Sequence, residues 1–151
     1  MHITPKFTKQ REVNDLIDFN TAIKEDPEGA RKTMAEFTGD DLLTIRKQLH
    51  HLPETLMENE QVLVFCYGYT DWKNGLLVLT DRRIMFLCKG MLASKLTSIP
   101  IARINSLSGE TGMVLGKIII NEGSSSITIK NVHKKAVNYF VKKFQEFADI
   151  S

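Results

Sequence analysis

Residues 75–86 read Gly-Leu-Leu-Val-Leu-Thr-Asp-Arg-Arg-Ile-Met-Phe, two apolar runs separated by a polar turn. The composition predicts one strand over residues 76–80, a tight turn at Asp81-Arg82, and another strand over residues 84–88. A third apolar run lies just upstream, at residues 62–67, and Asn74-Gly75 between the runs is a strong hairpin signal. The centre of the chain therefore predicts three consecutive antiparallel strands.

Four further strands are predicted downstream, over residues 96–101, 104–108, 114–121 and 126–130. The connections are polar or rich in glycine and proline, and Gly109, Gly112 and Gly116 are interpreted as turn and bulge positions. Short strands at this spacing indicate a meandering antiparallel sheet or barrel of about seven strands.

The first three strands are apolar on both faces, whereas Ile127 and Ile129 alternate with Thr128 and Lys130. An antiparallel strand with one solvated face should alternate, so the first sheet is expected to be covered on both sides. The barrel interior takes one face. Either the N-terminal helices or a second copy of the chain takes the other.

Residues 1–57 are predicted to form a helical extension packed on a domain of residues 58–151. A first helix covers residues 11–24, and Asp26-Pro27 starts a second that ends at Gly39. Asp40 or Asp41 caps a third helix, which Pro53 stops, and Thr55 and Glu58 match a capping box for one more turn. The apolar stripes are Val13, Leu16, Ile17 and Ile23, then Ala30, Met34 and Phe37, then Leu42, Ile45, Leu49 and Leu52.

The clearest helical pattern closes the chain, with Asn131 as the expected N-cap. Its stripe consists of Val137, Phe140, Val141, Phe144, Phe147 and Ala148. Such a helix is stable only as part of the domain. The conformational entropy lost on ordering it costs more free energy than the burial of its own apolar side chains provides. We expect it to plug one open end of the barrel.

The composition is that of an ordinary globular chain. Of 151 residues, 25% are charged and 42% are hydrophobic, and no run approaches the length of a membrane helix. The N-terminus has no apolar signal-peptide core, so a cytoplasmic location is expected. Cys66 and Cys88 fall on the first and third strands, about 9.6 Å apart, beyond the ~7 Å limit for a disulfide. Two reduced thiols are therefore predicted.

The charge is distributed unevenly along the chain. Residues 1–60 carry 8 basic and 12 acidic side chains, whereas residues 61–151 carry 12 basic and 6 acidic ones. Either the acidic part docks on the basic part, which we favour, or the basic part faces an anionic partner.

Residues 75–86 also match a family pattern. They resemble the Gly-x-x-x-x-Thr-Asn/Asp-x-Arg-aliphatic-x-Phe hairpin of bacterial pleckstrin-homology (PH)-like domains, in particular the YokE-like group. Residues 99–107, Ile-Pro-Ile-Ala-Arg-Ile-Asn-Ser-Leu, are similar to the Ile-Pro-x-x-x-Ile-x-Ser segment of that group. Gly116-Lys117-Ile118 and the final helix follow in the expected order, so the resemblance covers about residues 58–150.

The resemblance implies an α+β fold, a PH-like barrel capped by a C-terminal helix, and no catalysis. Such domains occur in bacterial, phage and prophage proteins. Thr80 and Arg83 match the motif as residues that shape the hairpin. In eukaryotic PH domains, basic residues near the first hairpin hold phosphoinositide phosphates. This chain offers only Lys73, Lys89 and Lys95 there, which is not a dense cluster.

The sequence indicates no catalytic, metal or cofactor site. His50 and His51 are adjacent, so on a helix they diverge by about 100° and cannot clamp one metal ion. The glycines match no dinucleotide or phosphate-binding motif, and Gly123-Ser124-Ser125-Ser126 is a turn rather than a nucleophile elbow.

The expected activity is protein–protein interaction. Trp72 lies at the first hairpin tip and Met91 and Leu92 in a later loop, a composition typical of interaction hot spots, with Lys73 beside them. The alternative is a membrane surface or anionic ligand, with Lys73, Lys89 and Lys95 as the anion contacts. Nucleic acid ranks third because no basic stripe interleaves with aromatics. The apolar strands could also support a homo-oligomer.

Overall fold

A computed structural model describes residues 18–70, 73–88 and 97–150. The helices are α1 (Phe19–Glu25), α2 (Pro27–Thr38), α3 (Arg46–Thr55) and α4 (Lys134–Ile150), with 3-10 turns at Leu43–Ile45 and Ile101–Arg103. The strands are β1 (Val62–Thr70), β2 (Lys73–Thr80), β3 (Arg83–Cys88), β4 (Thr97–Pro100), β5 (Ile104–Thr111), β6 (Leu115–Glu122) and β7 (Ser125–His133). None of the helices in these ranges has both the length and the apolar character that crossing a bilayer requires.

The seven strands form one antiparallel sheet in the order β4-β3-β2-β1-β7-β6-β5. The sheet bends around a common interior, and α4 packs against β1, β5, β6 and β7. Val137 and Phe140 of α4 are fully buried there. The predicted seven-stranded barrel with a C-terminal capping helix is confirmed.

The first three strands are buried on both faces, as their lack of alternation predicts. A Cβ on Gly68 would meet Ile129 and Val132, so even-numbered residues of β1 face the barrel interior. Phe65 points the other way, and its ring meets that of Phe19 edge-on at 5.7 Å. Residues that are paired in the register share a face of the sheet. The residues of this outer face in β1, β2 and β3 are Phe65, Leu76, Val78, Met85 and Leu87, and all five are buried.

Helices α1 and α2 contact β1, and α3 contacts β2. Eight hydrophobic side chains from this helical region are buried in the same core: Phe19, Ile23, Ala30, Met34, Leu42, Ile45, Leu49 and Leu52. A further stacking contact joins Phe37 of α2 to Tyr139 of α4, with ring centroids 5.2 Å apart. The helices therefore lie on the barrel within one chain, while the division at residues 57 and 58 stays a prediction.

The Asn-Gly pair does not form the first hairpin turn, contrary to expectation. Asn74 and Gly75 lie within β2, opposite Tyr69 and Gly68, and the ladder continues to Thr70 and Lys73. Gly75 is needed for close packing, because a Cβ there would lie 2.6 Å from the Leu87 carbonyl oxygen. Tertiary contact rather than turn chemistry therefore explains this glycine.

Two predicted helix ends in the N-terminal region are wrong. Pro53 lies inside α3, which continues to Thr55; in the last turn a proline disrupts only the bond to residue 49. Residues 55–58 form no helical turn, because Leu56 is extended and Asn59 takes a positive φ of 65°. The carboxylate of Glu60, rather than a capping box, accepts the Met57 N–H at 2.8 Å.

The other helix starts follow the sequence more closely. Asp26 accepts the Gly29 N–H at 3.1 Å, and Gly39 ends α2 in the left-handed conformation. Asp40 and Asp41 accept the N–H groups of Leu42 and Leu43, ahead of the third helix. The first helix begins at Phe19, and Val13, Leu16 and Ile17 lie outside the described residues.

Asn131 is not the N-cap of the last helix. It lies in β7 with a φ of 57°, and α4 begins three residues later at Lys134. Asparagine tolerates this left-handed conformation better than most residues, which explains its presence at a strand irregularity.

The two thiols should differ in reactivity. Neither cysteine is in a disulfide, as predicted, and Cys66 is buried whereas Cys88 is half-buried. Burial strongly raises the pKa of the Cys66 thiol, and the nearby Asp40 carboxylate adds to the effect. We expect iodoacetamide to modify Cys88 in the native protein and Cys66 only on unfolding. Mass spectrometry with and without denaturant tests this, and equal native labelling would contradict it.

Candidate functional site

The register of the first three strands defines one end of the barrel. Thr70 pairs with Lys73, and Gly75 pairs with Cys88, so the end of β1, the start of β2 and the end of β3 lie on the same side of the sheet. The β6–β7 turn also lies toward this side, because β7 runs antiparallel to β1 with Lys130 opposite Tyr69. We call this side the loop end.

Of the predicted site residues, Lys73 is described: it is the exposed first residue of β2, at the loop end. Trp72, Lys89, Met91, Leu92 and Lys95 lie outside the described residues. The predicted partner surface and anion contacts therefore stay predictions.

The motif residues Thr80 and Arg83 surround a buried carboxylate. Arg83 donates from Nε to Glu60 Oε2 at 2.9 Å and from Nη2 to Glu60 Oε1 at 3.0 Å. Thr80 Oγ1 donates to Glu60 Oε2 at 2.7 Å and accepts the N–H groups of Arg82 and Arg83 at 3.0 Å. Arg83 also donates to the Thr55 carbonyl at 2.7 Å. These hydrogen bonds connect the β2–β3 turn to Glu60 and to the end of α3, so the cluster stabilises the fold.

Glu60 is ionised in this cluster. Burial of the carboxyl raises its pKa, but hydrogen bonds from Arg83, Met57 and Thr80 outweigh that effect and hold the pKa below its usual value. A bidentate arginine–carboxylate pair with additional donors is the arrangement that makes a buried charge tolerable. Both groups are fully engaged, so neither is available to a substrate.

The lowered pKa of Glu60 predicts acid lability. The carboxylate contributes its full stabilisation above its unfolded-state pKa of about 4.3, and that contribution is lost as pH falls through the lower folded-state pKa. Urea midpoints should therefore decrease steeply below pH 4 or so, and a Glu60→Gln/Arg83→Met variant should show a flatter profile. Parallel profiles for the two proteins would show that other carboxyls control the acid transition.

Among the described residues, no group of three or more His, Cys, Asp or Glu is placed to hold a metal ion. His51 Nδ1 lies 3.6 Å from Glu54 Oε2 on the exposed side of α3, and no third ligand from residues 18–70, 73–88 or 97–150 accompanies this pair.

Comparison with known proteins identifies the fold family. Residues 56–146 match the family model described as bacterial PH domain. The chain belongs to this family. Its N-terminal helices precede the matched region, and the narrower YokE-like grouping stays a prediction. No curated protein matches the sequence.

Three solved structures are similar to this bacterial PH domain, and the first of them supports its fold. The Vps36 N-terminal PH domain is similar with a TM-score of 0.52 and 14% identity, over 63% of this chain and 83% of that one. A protein with a pleckstrin-homology domain from Shewanella loihica is similar with a TM-score of 0.46 and 15% identity. The match covers 70% of this chain and 98% of that one. The C-terminal domain of a Leishmania infantum protein is similar with a TM-score of 0.46 and 18% identity. The match covers 60% of this chain and 87% of that one. At these identities the likeness to Vps36 supports the fold alone.

One surface of the domain escaped sequence analysis. The β5–β6 turn exposes Met113 by 94%, Val114 by 63% and Leu115 by 48% of their surface. We call these three residues the apolar tip. Val114 belongs to the turn and not to a strand, as the sequence suggested, because β6 begins at Leu115. The available signal was three apolar residues between Gly112 and Gly116, where turns are normally polar.

Proposed function

We propose that this bacterial PH domain is a non-catalytic binding module whose partner is another protein, bound at the loop end. PH domains are generally non-catalytic binding modules. The supporting observation is the register of β1, β2 and β3, in which Thr70 and Cys88, the strand ends that precede the segments carrying Trp72, Met91 and Leu92, lie on the same side. Aromatic side chains and methionine, such as Trp72 and Met91, are residue types enriched at protein interfaces.

The chemistry of the described residues supports binding rather than turnover. The one deeply buried carboxylate among them, Glu60, is held by Arg83 and Thr80. The lack of a disulfide between Cys66 and Cys88 is compatible with a cytoplasmic module.

The second candidate is an anionic ligand at the same end. Lys73 is exposed there, and Lys89 and Lys95 belong to the segment that follows β3. Because ammonium–phosphate contacts are screened, such binding would weaken steeply as ionic strength rises, whereas an aromatic-anchored protein contact would not.

A pull-down from host lysate tests the proposal. The parent chain is one bait and a Trp72→Ala/Met91→Asp variant is the matched control, with both washed at low and high ionic strength. We expect a protein that the parent captures at both strengths and the variant does not. A protein that both baits capture equally, or one lost at high ionic strength, would contradict the proposed interface.

A further inference from the structure

The apolar tip is held in a fixed backbone conformation. Gly112 N–H donates to the Leu115 carbonyl at 2.8 Å and closes the turn. Lys134 N–H, at the start of α4, donates to the Val114 carbonyl at 2.8 Å. The tip is therefore attached to the capping helix as well as to its own hairpin, and its side chains are presented on a firm support.

No described element covers these side chains. These three side chains contribute little to the stability of the fold, because apolar surface that remains in water gains none of the free energy of burial. Elsewhere in the described residues, the exposed large apolar side chains are Leu43 and Met57, which stand singly. A run of three at the end of a hairpin is different, because adjacent exposed apolar residues mark a contact surface.

Lysines surround the tip. Lys134 is exposed and its N–H is bonded to the Val114 carbonyl. Lys117 and Lys130 share a shallow concavity of about 360 Å³ with Leu115. The carboxylate in that concavity, Glu110, lies 3.5 Å from Lys117 and balances one of these charges. Positive charge therefore predominates around the tip.

We propose that the apolar tip inserts into the interface of an anionic membrane, with Lys117, Lys130 and Lys134 on the lipid headgroups. Exposed apolar side chains with lysines beside them match a bilayer, in which the acyl boundary lies just below negative charge. The lysines beside the tip favour this occupant, because anionic headgroups complement their charge.

This membrane contact goes beyond the proposed protein partner, because its apolar residues belong to the β5–β6 turn and not to the segments that carry Trp72, Met91 and Leu92. Leu115 pairs with His133, the last residue of β7, whereas the first residues of β7 lie toward the loop end. The two proposals can therefore fail separately.

Vesicle co-sedimentation tests the membrane proposal with the full chain. The probes are vesicles of phosphatidylcholine alone and of phosphatidylcholine with about 30% phosphatidylglycerol, since anionic lipid attracts basic segments. We expect the parent to bind the anionic vesicles, and Met113→Ser/Val114→Ser/Leu115→Ser to bind about tenfold or more weakly. Leu43→Ser/Met57→Ser is the matched control, because these side chains are 47% and 46% exposed, and it should bind like the parent.

Charge substitutions complete the test. Lys130→Gln/Lys134→Gln should weaken binding to anionic vesicles by about fivefold or more and leave the neutral vesicles unchanged. No binding by the parent, equal binding to both vesicle types, or undiminished binding by the tip variant would each overturn the proposal.

A fluorescent reporter gives an independent readout. In a Met113→Cys/Cys88→Ser variant, a nitrobenzoxadiazole label reports at position 113, because Cys66 is buried. Anionic vesicles should shift its emission to the blue and increase its intensity. Unchanged emission with vesicles would overturn the proposal, as would a shift produced by a lysate protein in their place, which would identify the tip as a protein-docking site.

Discussion

Replacing Arg83 with alanine is expected to lower the free energy of unfolding by about 3–5 kcal/mol. The substitution leaves the Glu60 carboxylate buried without its partner and removes the bond to the Thr55 carbonyl. An uncompensated buried charge is among the most destabilising changes a single substitution can cause. Urea unfolding followed by circular dichroism measures the loss.

The neighbouring arginine provides the control. Arg82 is exposed and donates to the Glu58 carbonyl at 2.9 Å, so Arg82→Ala should cost no more than about 1 kcal/mol. Replacing both charged partners, as in Glu60→Leu/Arg83→Met, should restore much of the stability. If Arg82→Ala and Arg83→Ala destabilise equally, the buried pair does not have the role assigned to it.

Deleting residues 1–55 is expected to abolish the soluble monomer. The deletion uncovers the outer face of β1, β2 and β3, namely Phe65, Leu76, Val78, Met85 and Leu87. A contiguous patch of five large apolar side chains exposed to water drives association. Size-exclusion chromatography with light scattering should show aggregates, and a well-behaved monomer would contradict the proposed role of the N-terminal helices as a cover.

A pair of point substitutions tests the same idea without removing the helices. Ile45 is fully buried in the core, whereas Leu43, two residues away, is 47% exposed. Ile45→Asp should destabilise the protein by several kcal/mol, and Leu43→Asp should leave its stability close to that of the parent. Similar effects from both substitutions would indicate that the 3-10 turn does not pack against the sheet.

The fold could be predicted from the sequence because its strongest signals are local. The strands over 62–67, 76–80 and 84–88 lie inside β1, β2 and β3, and the missing alternation anticipated a sheet covered on both faces. The stripe of Leu42, Ile45, Leu49 and Leu52 is buried as its spacing indicates.

The errors arise where distant parts of the chain decide the local structure. Glu60 is one of 12 acidic residues in the first 60, and only the approach of Arg83 distinguishes it from a solvated carboxylate. Gly75 was interpreted as a turn residue because it follows Asn74. A glycine is needed there because the Leu87 carbonyl oxygen leaves no room for a Cβ atom. The apolar tip was missed because Val114 and Leu115 continue into a strand-like run, so that the turn was placed too early.

Photo-crosslinking in the host cell tests the proposed partner-binding surface most directly. A benzoylphenylalanine at position 73 lies at the loop end, where the native lysine is exposed, and one at position 43 lies on the 3-10 turn. We predict a discrete crosslinked protein from position 73 and none from position 43, because the partner contacts the loop end. No adduct from position 73, or the same adducts from both positions, would contradict the claim that this bacterial PH domain binds a protein there.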